Sequence, residues 1–139
     1  MTARYLADTH AQAFADSRTW SEREFAELLD QRGVTLIGAK RSFLLTRQIL
    51  AEVEILTLAT HPDNRQQGLA FLNLQALLRH AKTDGAKKVF LEVAADNNAA
   101  LQLYTKAGFA QIGSRSAYYA RTNGPAVDAL LLQRKLDPA

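Results

Sequence analysis

Three groups of residues have side-chain types and spacings suited to chemistry. The first is Glu92, which stands inside the apolar run Val89-Phe90-Leu91-Glu92-Val93-Ala94. A carboxylate in such a run is costly to desolvate unless it meets water, a donor or a substrate, and burial raises its pKa toward the range where a general base works. On the solvated face of the strand it would need no function at all. The second is Tyr104, seven residues after Asn97. Two helical turns put both side chains on one face, where the phenol is either a proton donor or a packing residue with its hydroxyl at the rim. The third is Arg65-Gln66-Gln67-Gly68-Leu69-Ala70, placed where an apolar strand pattern gives way to a long helical one. A helix start offers unpaired N–H groups and partial positive charge, and glycine lets a phosphate approach the backbone. Alone, the hexapeptide fits a ligand-free strand, turn and helix equally well. It carries neither a Walker lysine nor a G-x-G-x-x-G.

The elements that must position these groups are legible around them. Glu54 to Ala59 reads as a strand, His61-Pro62-Asp63-Asn64 as a turn, and Leu69, Leu72, Ala76 and Leu77 as one face of a helix that stops at Gly85. Before them, Leu6, His10, Ala13 and Phe14 share a helical face, which predicts His10 as a partly covered surface residue rather than a metal ligand. A second helix starts explicitly: Ser21 and Glu24 form a capping box, Trp20 and Phe25 a hydrophobic staple, and Gly33 is the expected stop. Trp20 thus has a sufficient structural role, although its position also suits the edge of a substrate channel. Strand patterns over Val34 to Gly38, Ser42 to Ile49 and Val53 to Ala59 suggest an antiparallel meander. After the Val89 strand, Asp96-Asn97-Asn98 opens a short helix ending at Gly108, and strands over Phe109 to Ser116 and Val127 to Lys135 close the chain.

Composition narrows the class. The chain has 139 residues, enough to bury roughly two-thirds of its unfolded surface, and no repeat or linker divides it, so one domain over 1–139 is expected. No apolar run approaches membrane-spanning length, and Met1-Thr2-Ala3-Arg4 lacks the apolar centre of a secretory signal, which predicts a cytoplasmic protein without membrane attachment. There is no cysteine, hence no thiolate nucleophile and no cysteine-ligated metal. The net charge of +3 is scattered, short of a nucleic-acid footprint.

In this order and spacing, the segments resemble the GCN5-related N-acetyltransferase superfamily, and within it the ribosomal-protein-alanine N-acetyltransferases of the RimI type. The hexapeptide matches the superfamily's Q/R-x-x-G-x-G/A motif. Asn97 to Phe109 matches its N-x-x-A-x-x-L-Y-x-x-x-G-F segment. Trp20-Ser21, Phe90-Leu91-Glu92-Val93 and Arg115-x-x-Tyr118-Tyr119 add features of the RimI type.

The resemblance implies an α/β fold with a mixed central sheet splayed between two parallel strands and helices on both faces. It implies acetyl-CoA as cosubstrate, lying in the splay: the pantetheine arm on backbone groups of Leu58, Ala59 and Thr60, the pyrophosphate on the Arg65, Gln66, Gln67, Gly68, Leu69, Ala70 and Phe71 segment, and Asn97 in contact with it. Glu92 would be the base and Tyr104 the acid, with Trp20, Tyr118 and Tyr119 bordering the acceptor, and no metal is implied. The acceptor would be a protein N-terminus, that of an alanine-started ribosomal protein, with no nucleic acid or membrane involved. Other members of the superfamily acetylate small amines, and a catalytically silent acetyl-CoA sensor or ribosome-binding module would share the fold.

The chain departs from the pattern in four places. Ala70 replaces the last motif glycine, Ala120 stands where proline usually follows the tyrosine pair, and one extra residue precedes Asp128. The strand that usually precedes the first helix is missing from the pattern, which predicts an open edge at the Val34 strand.

Overall fold

The computed structural model describes residues 2–14, 20–39 and 41–136. It opens with two helices, α1 (Thr2–Ala13) and α2 (Glu22–Leu29). The meander follows as β1 (Val34–Ala39), β2 (Ser42–Ile49) and β3 (Glu52–Thr60). A single 3-10 turn, Pro62–Asn64, leads to α3 (Leu69–Thr83) and β4 (Lys88–Ala94). The chain then forms α4 (Asn98–Lys106), β5 (Ala110–Tyr119) and β6 (Val127–Lys135). The sheet order is β1-β2-β3-β4-β6-β5. Every neighbouring pair is antiparallel except β3 and β4. Among the described residues no strand precedes α1, and β1 stands at the sheet edge as the pattern predicts.

Strand alternation sends side chains to two cores. On one face Leu44, Val53, Ile55, Val89, Leu91, Val93 and Leu132 pack under Leu74, Leu77 and Leu78 of α3 and Tyr104 of α4. On the other, Phe43, Leu45 and Ala59 meet Leu6 of α1 and Phe25 of α2. The capping box forms in both directions, Glu24 N–H to Ser21 Oγ and Ser21 N–H to Glu24 Oε1, each at 3.1 Å. The Trp20 and Phe25 rings meet at 5.4 Å.

Two expectations are corrected. Gly33 does not end α2, whose last residue is Leu29, four positions earlier, with Asp30 as the cap and its amide reaching Leu28 O. Gly33 instead turns the chain into β1 at φ 84°, where a Cβ would come within 2.8 Å of the Gln48 carbonyl oxygen. His10 is not a partly covered surface residue: it is only 4 % exposed. Its ring is enclosed by Phe14, Trp20 and Phe25 at 4.6, 5.2 and 5.6 Å. Phe14 belongs to the face visible in the pattern, but the rest of the cover comes from Trp20, just before α2, and Phe25, within it.

The feature that matters most for a ligand is the seam between β3 and β4. They pair at Glu52 with Lys88, Val53 with Val89 and Glu54 with Phe90, and then part. At that level the β2–β3 register passes from Thr46 with Ile55 to Leu45 with Thr57, so Leu56 is the extra residue of a β-bulge. A bulge bends its strand, which here steers β3 away from β4 and opens a wedge.

Candidate functional site

The wedge presents unpaired backbone. The His61 amide donates to the Arg41 carbonyl at 2.7 Å. In an antiparallel ladder such pairs alternate, so Ala59, opposite Phe43, turns its backbone groups to β2, whereas Leu58 and Thr60 turn theirs to the wedge. Of the three residues expected to pair with a ligand arm, two therefore offer backbone there and Ala59 does not.

Beyond β3 the chain reaches the glycine turn. Gly68 takes the left-handed conformation at the N-cap of α3, with no side-chain cap. A Cβ there would meet nothing within 4 Å. The first helical bond runs from Leu72 N–H to Gly68 O at 3.0 Å. The amides of Leu69, Ala70 and Phe71 therefore lack intrahelical partners. Gln66, at φ 62°, is one of three non-glycine residues with positive φ among those described. The Arg65 guanidinium points away from this amide cup, donating to the Ala13 carbonyl at the end of α1 at 3.1 Å. Phe71 carries Lys106 Nζ 4.4 Å above its ring. Asn97 caps α4 by accepting the Ala100 amide at 3.1 Å, a role the spacing argument had not assigned.

Across the wedge stands a second cluster. Odd-numbered residues of β4 fill the α3 side, so Glu92 faces the other way. Its side chain is 26 % exposed and pairs with Arg115 Nη2 at 3.0 Å. The expected isolated, desolvated carboxylate is thus partly solvated and ion-paired. Arg115 also lies 5.3 Å above the Tyr118 ring, which meets Tyr119 edge-on at 5.1 Å. Burial raises the Tyr119 phenol above its ordinary value, with further contributions from Glu92 and Tyr118. Burial likewise raises that of Tyr104, and Tyr119 adds to it. Tyr119 therefore sits within electrostatic reach of both predicted catalytic groups.

Tyr104 is 4 % exposed, its ring edge-on to Phe109 at 5.5 Å. Among the described residues its hydroxyl makes no hydrogen bond, yet it is not among the sealed polar atoms without partners, of which Arg47 Nε is the one found. The oxygen consequently reaches solvent. A phenol held above its usual pKa keeps its proton through the neutral range and is available as an acid.

The tyrosine pair is aimed by an irregularity that the strand pattern missed. Rather than ending near Ser116, β5 continues to Tyr119 across a wide bulge: Arg115 pairs with Ala129 and Tyr119 with Val127, leaving three residues opposite Asp128. Asp128 fills the gap by accepting the Ala117 amide at 2.9 Å, and Ala117 adopts φ 48°. Arg121 ties the same region to the start of α4, gripping both Asp96 oxygens at 2.9 and 2.8 Å. Those hydrogen bonds hold the Asp96 carboxyl below the usual range. Trp20 lines a cleft of about 370 Å³ with Glu24, Glu27, Leu28, Gln31 and the bulge residue Leu56. Among the described residues no group of His, Asp and Glu is arranged to hold a metal ion. What the arrangement offers is a cup of amides for anionic oxygens, an open strand edge, a carboxylate and a protonated phenol.

Residues 3–109 match the acetyltransferase (GNAT) family. The chain is 33% identical over 128 residues to the [ribosomal protein bS18]-alanine N-acetyltransferase of Escherichia coli strain K12, covering 89% of this chain and 84% of that one. It is 32% identical over 141 residues to the N-alpha-acetyltransferase RimI of Mycobacterium tuberculosis, covering 95% and 85%. The crystal structure of the ribosomal-protein-S18-alanine N-acetyltransferase from Escherichia coli superposes with a TM-score of 0.88 at 28% identity, covering 99% of this chain and 89% of that one.

Proposed function

The chain belongs to the acetyltransferase (GNAT) family, and from that premise we propose that it moves the acetyl group of acetyl-CoA onto the α-amine of a protein N-terminus, that of an alanine-started ribosomal protein. The observation that carries this reading is the wedge, whose free strand edge at Leu58 and Thr60 leads to the unpaired amides of Leu69 to Phe71. An extended pantetheine arm pairs with such an edge as an added strand does, and a pyrophosphate suits the amide cup. The acceptor side is supported by likeness to enzymes named for bS18 alanine acetylation and by the Tyr118–Tyr119 pair beside Glu92. A ribosomal acceptor would place the protein in the cytoplasm.

The chemistry is direct aminolysis of a thioester. Glu92, itself or through a water, takes a proton from the acceptor amine, whose nitrogen then attacks the acetyl carbonyl. A C–N bond forms and the C–S bond breaks, and Tyr104 gives its proton to the leaving thiolate. Backbone N–H groups near Leu58 polarise the carbonyl. The chain has no cysteine to carry an acyl intermediate, and positioning both reactants in the wedge suffices. Protein α-amines titrate near about 7.7–8.0 and lysines near about 10.4, so at neutral pH the uncharged nucleophile is far commoner at N-termini.

Incubation with acetyl-CoA and peptides starting with Ala, Ser or Met, or offering a lysine amine alone, decides the acceptor. Labelling strongest on the α-amine of the alanine-started peptide is expected. Equal labelling of all peptides, or labelling of lysine alone, would overturn the assignment.

A further inference from the structure

The turn that leads from β3 toward the open amides is gripped from outside by a residue the reaction scheme does not use. Arg41, between β1 and β2, donates Nε–H to Asn64 Oδ1 at 2.6 Å and Nη2–H to His61 Nδ1 at 3.0 Å. The same Nη2 lies 3.4 Å from Asp63 Oδ2, and the Arg41 carbonyl receives the His61 amide at 2.7 Å. A guanidinium accepts no hydrogen bond, so His61 Nδ1 is the acceptor, shared with the Asp63 amide at 3.1 Å, and the imidazole proton sits on Nε2. One side chain thereby reaches three of the four residues of the path His61-Pro62-Asp63-Asn64, which leads from β3 toward the amide cup.

Without the Arg41 side chain that path would keep its local turn bonds but lose its side-chain tie to the segment between β1 and β2. Its internal backbone bonds are Asn64 N–H to His61 O at 2.8 Å and Arg65 N–H to Pro62 O at 3.4 Å, the second long. Arg65 anchors the far end to α1. The exposed ion pair to Asp63 counts for little, since its partners are 52 % and 78 % exposed. The weight falls on the forked bonds to Asn64 and His61, which need a planar guanidinium.

We infer that Arg41 is a positioning residue for acetyl-CoA: acting through His61 and Asn64, it holds the β3–α3 turn so that the amides beyond it are already aimed when the pyrophosphate arrives. The inference rests on the acetyl-CoA reading above. Preorganisation of this kind strengthens binding by removing an ordering cost at the moment of association, and it leaves the chemical step alone.

The test compares wild type with Arg41→Ala, Arg41→Lys, Asn64→Ala and the Arg41→Ala/Asn64→Ala double variant. Acetyl-CoA affinity is measured by calorimetry, and kcat at saturating acetyl-CoA with the alanine-started peptide. Both Arg41 variants are expected to raise the Kd and KM for acetyl-CoA about tenfold, equivalent to about 1.4 kcal/mol, with kcat and the peptide KM within twofold of wild type. The double variant should be no worse than Arg41→Ala, because the two side chains share one interaction. Unchanged affinity in Arg41→Ala overturns the inference. So does full rescue by Arg41→Lys, which would make the residue a plain charge, or additive losses in the double variant. Should Arg41→Ala fail to fold by circular dichroism, Asn64→Ala decides: a raised acetyl-CoA KM at unchanged kcat supports the clamp, and an unchanged KM overturns it. Wild type that binds no acetyl-CoA would instead remove the functional reading, and the clamp with it.

Discussion

Replacing Tyr104 by Phe separates chemistry from architecture more cleanly than any other change here. The ring is buried against Phe109 and belongs to the core under α3 and α4, so Phe preserves the packing. Among the described residues the hydroxyl has no hydrogen-bond partner to orphan, so the usual ~1 kcal/mol for a lost hydrogen bond does not apply. The expected stability change is under about 0.5 kcal/mol, a shift in Tm of less than ~3 °C for a chain of this size.

The loss of a general acid, by contrast, removes roughly 10²–10⁴ in kcat, or about 2.7–5.5 kcal/mol of barrier. Thiol release from acetyl-CoA, followed with a chromogenic disulfide at saturating peptide, reads kcat directly. Thermal unfolding of the same samples reads the other term. A kcat within threefold of wild type would refute the assignment of the phenol as acid, and a fall in Tm of 8 °C or more, on the order of 2 kcal/mol, would show that the hydroxyl is structural.

The same variant has a signature in alkali. Burial raises the folded-state pKa of Tyr104 above its ordinary value near 10. Between those two values the unfolded chain has released the proton and the folded chain has not, so stability declines as pH rises past about 10. Tyr104→Phe should flatten that decline, leaving the part due to Tyr119, whose phenol is also raised.

Two further outcomes are expected. Glu92→Gln keeps the side-chain shape but removes the base and its pairing with Arg115, and should lower kcat by roughly 10²-fold while acetyl-CoA affinity, measured by thermal-shift titration, stays within twofold. Asp128→Ala removes the acceptor that holds the Ala117 amide and releases a non-glycine residue from φ 48°, so the β5 bulge should relax. The peptide KM should rise about tenfold with the acetyl-CoA KM unchanged, as steady-state kinetics with either substrate varied would reveal.

Much of the fold could be read locally because its signals are local. The capping box of α2 lies within four residues, and β3, the glycine turn and α3 follow one another without interruption. Glu92 and Tyr104 were singled out locally too, the first by its type inside an apolar strand and the second by its two-turn spacing from Asn97. What escaped was decided by distant partners. His10 is enclosed by rings from beyond α1, ten and fifteen residues on. Arg41 grips side chains 20 to 23 residues away, across a hairpin whose only visible signal was turn polarity. The β5 bulge depends on Asp128 of the neighbouring strand. Arg115 was visible as part of a pattern, but its contact with Glu92 follows only from the sheet order β4-β6-β5.

The brief seam between β3 and β4 has a mechanical consequence. With main-chain pairing across it only from Glu52 to Glu54, the sheet is two three-stranded ribbons stitched at one end like an open book, with the helices acting as covers. Whatever fills the wedge supplies the rest of the binding. A ligand that binds there only when the chain is folded would therefore raise the apparent stability of the whole sheet by mass action.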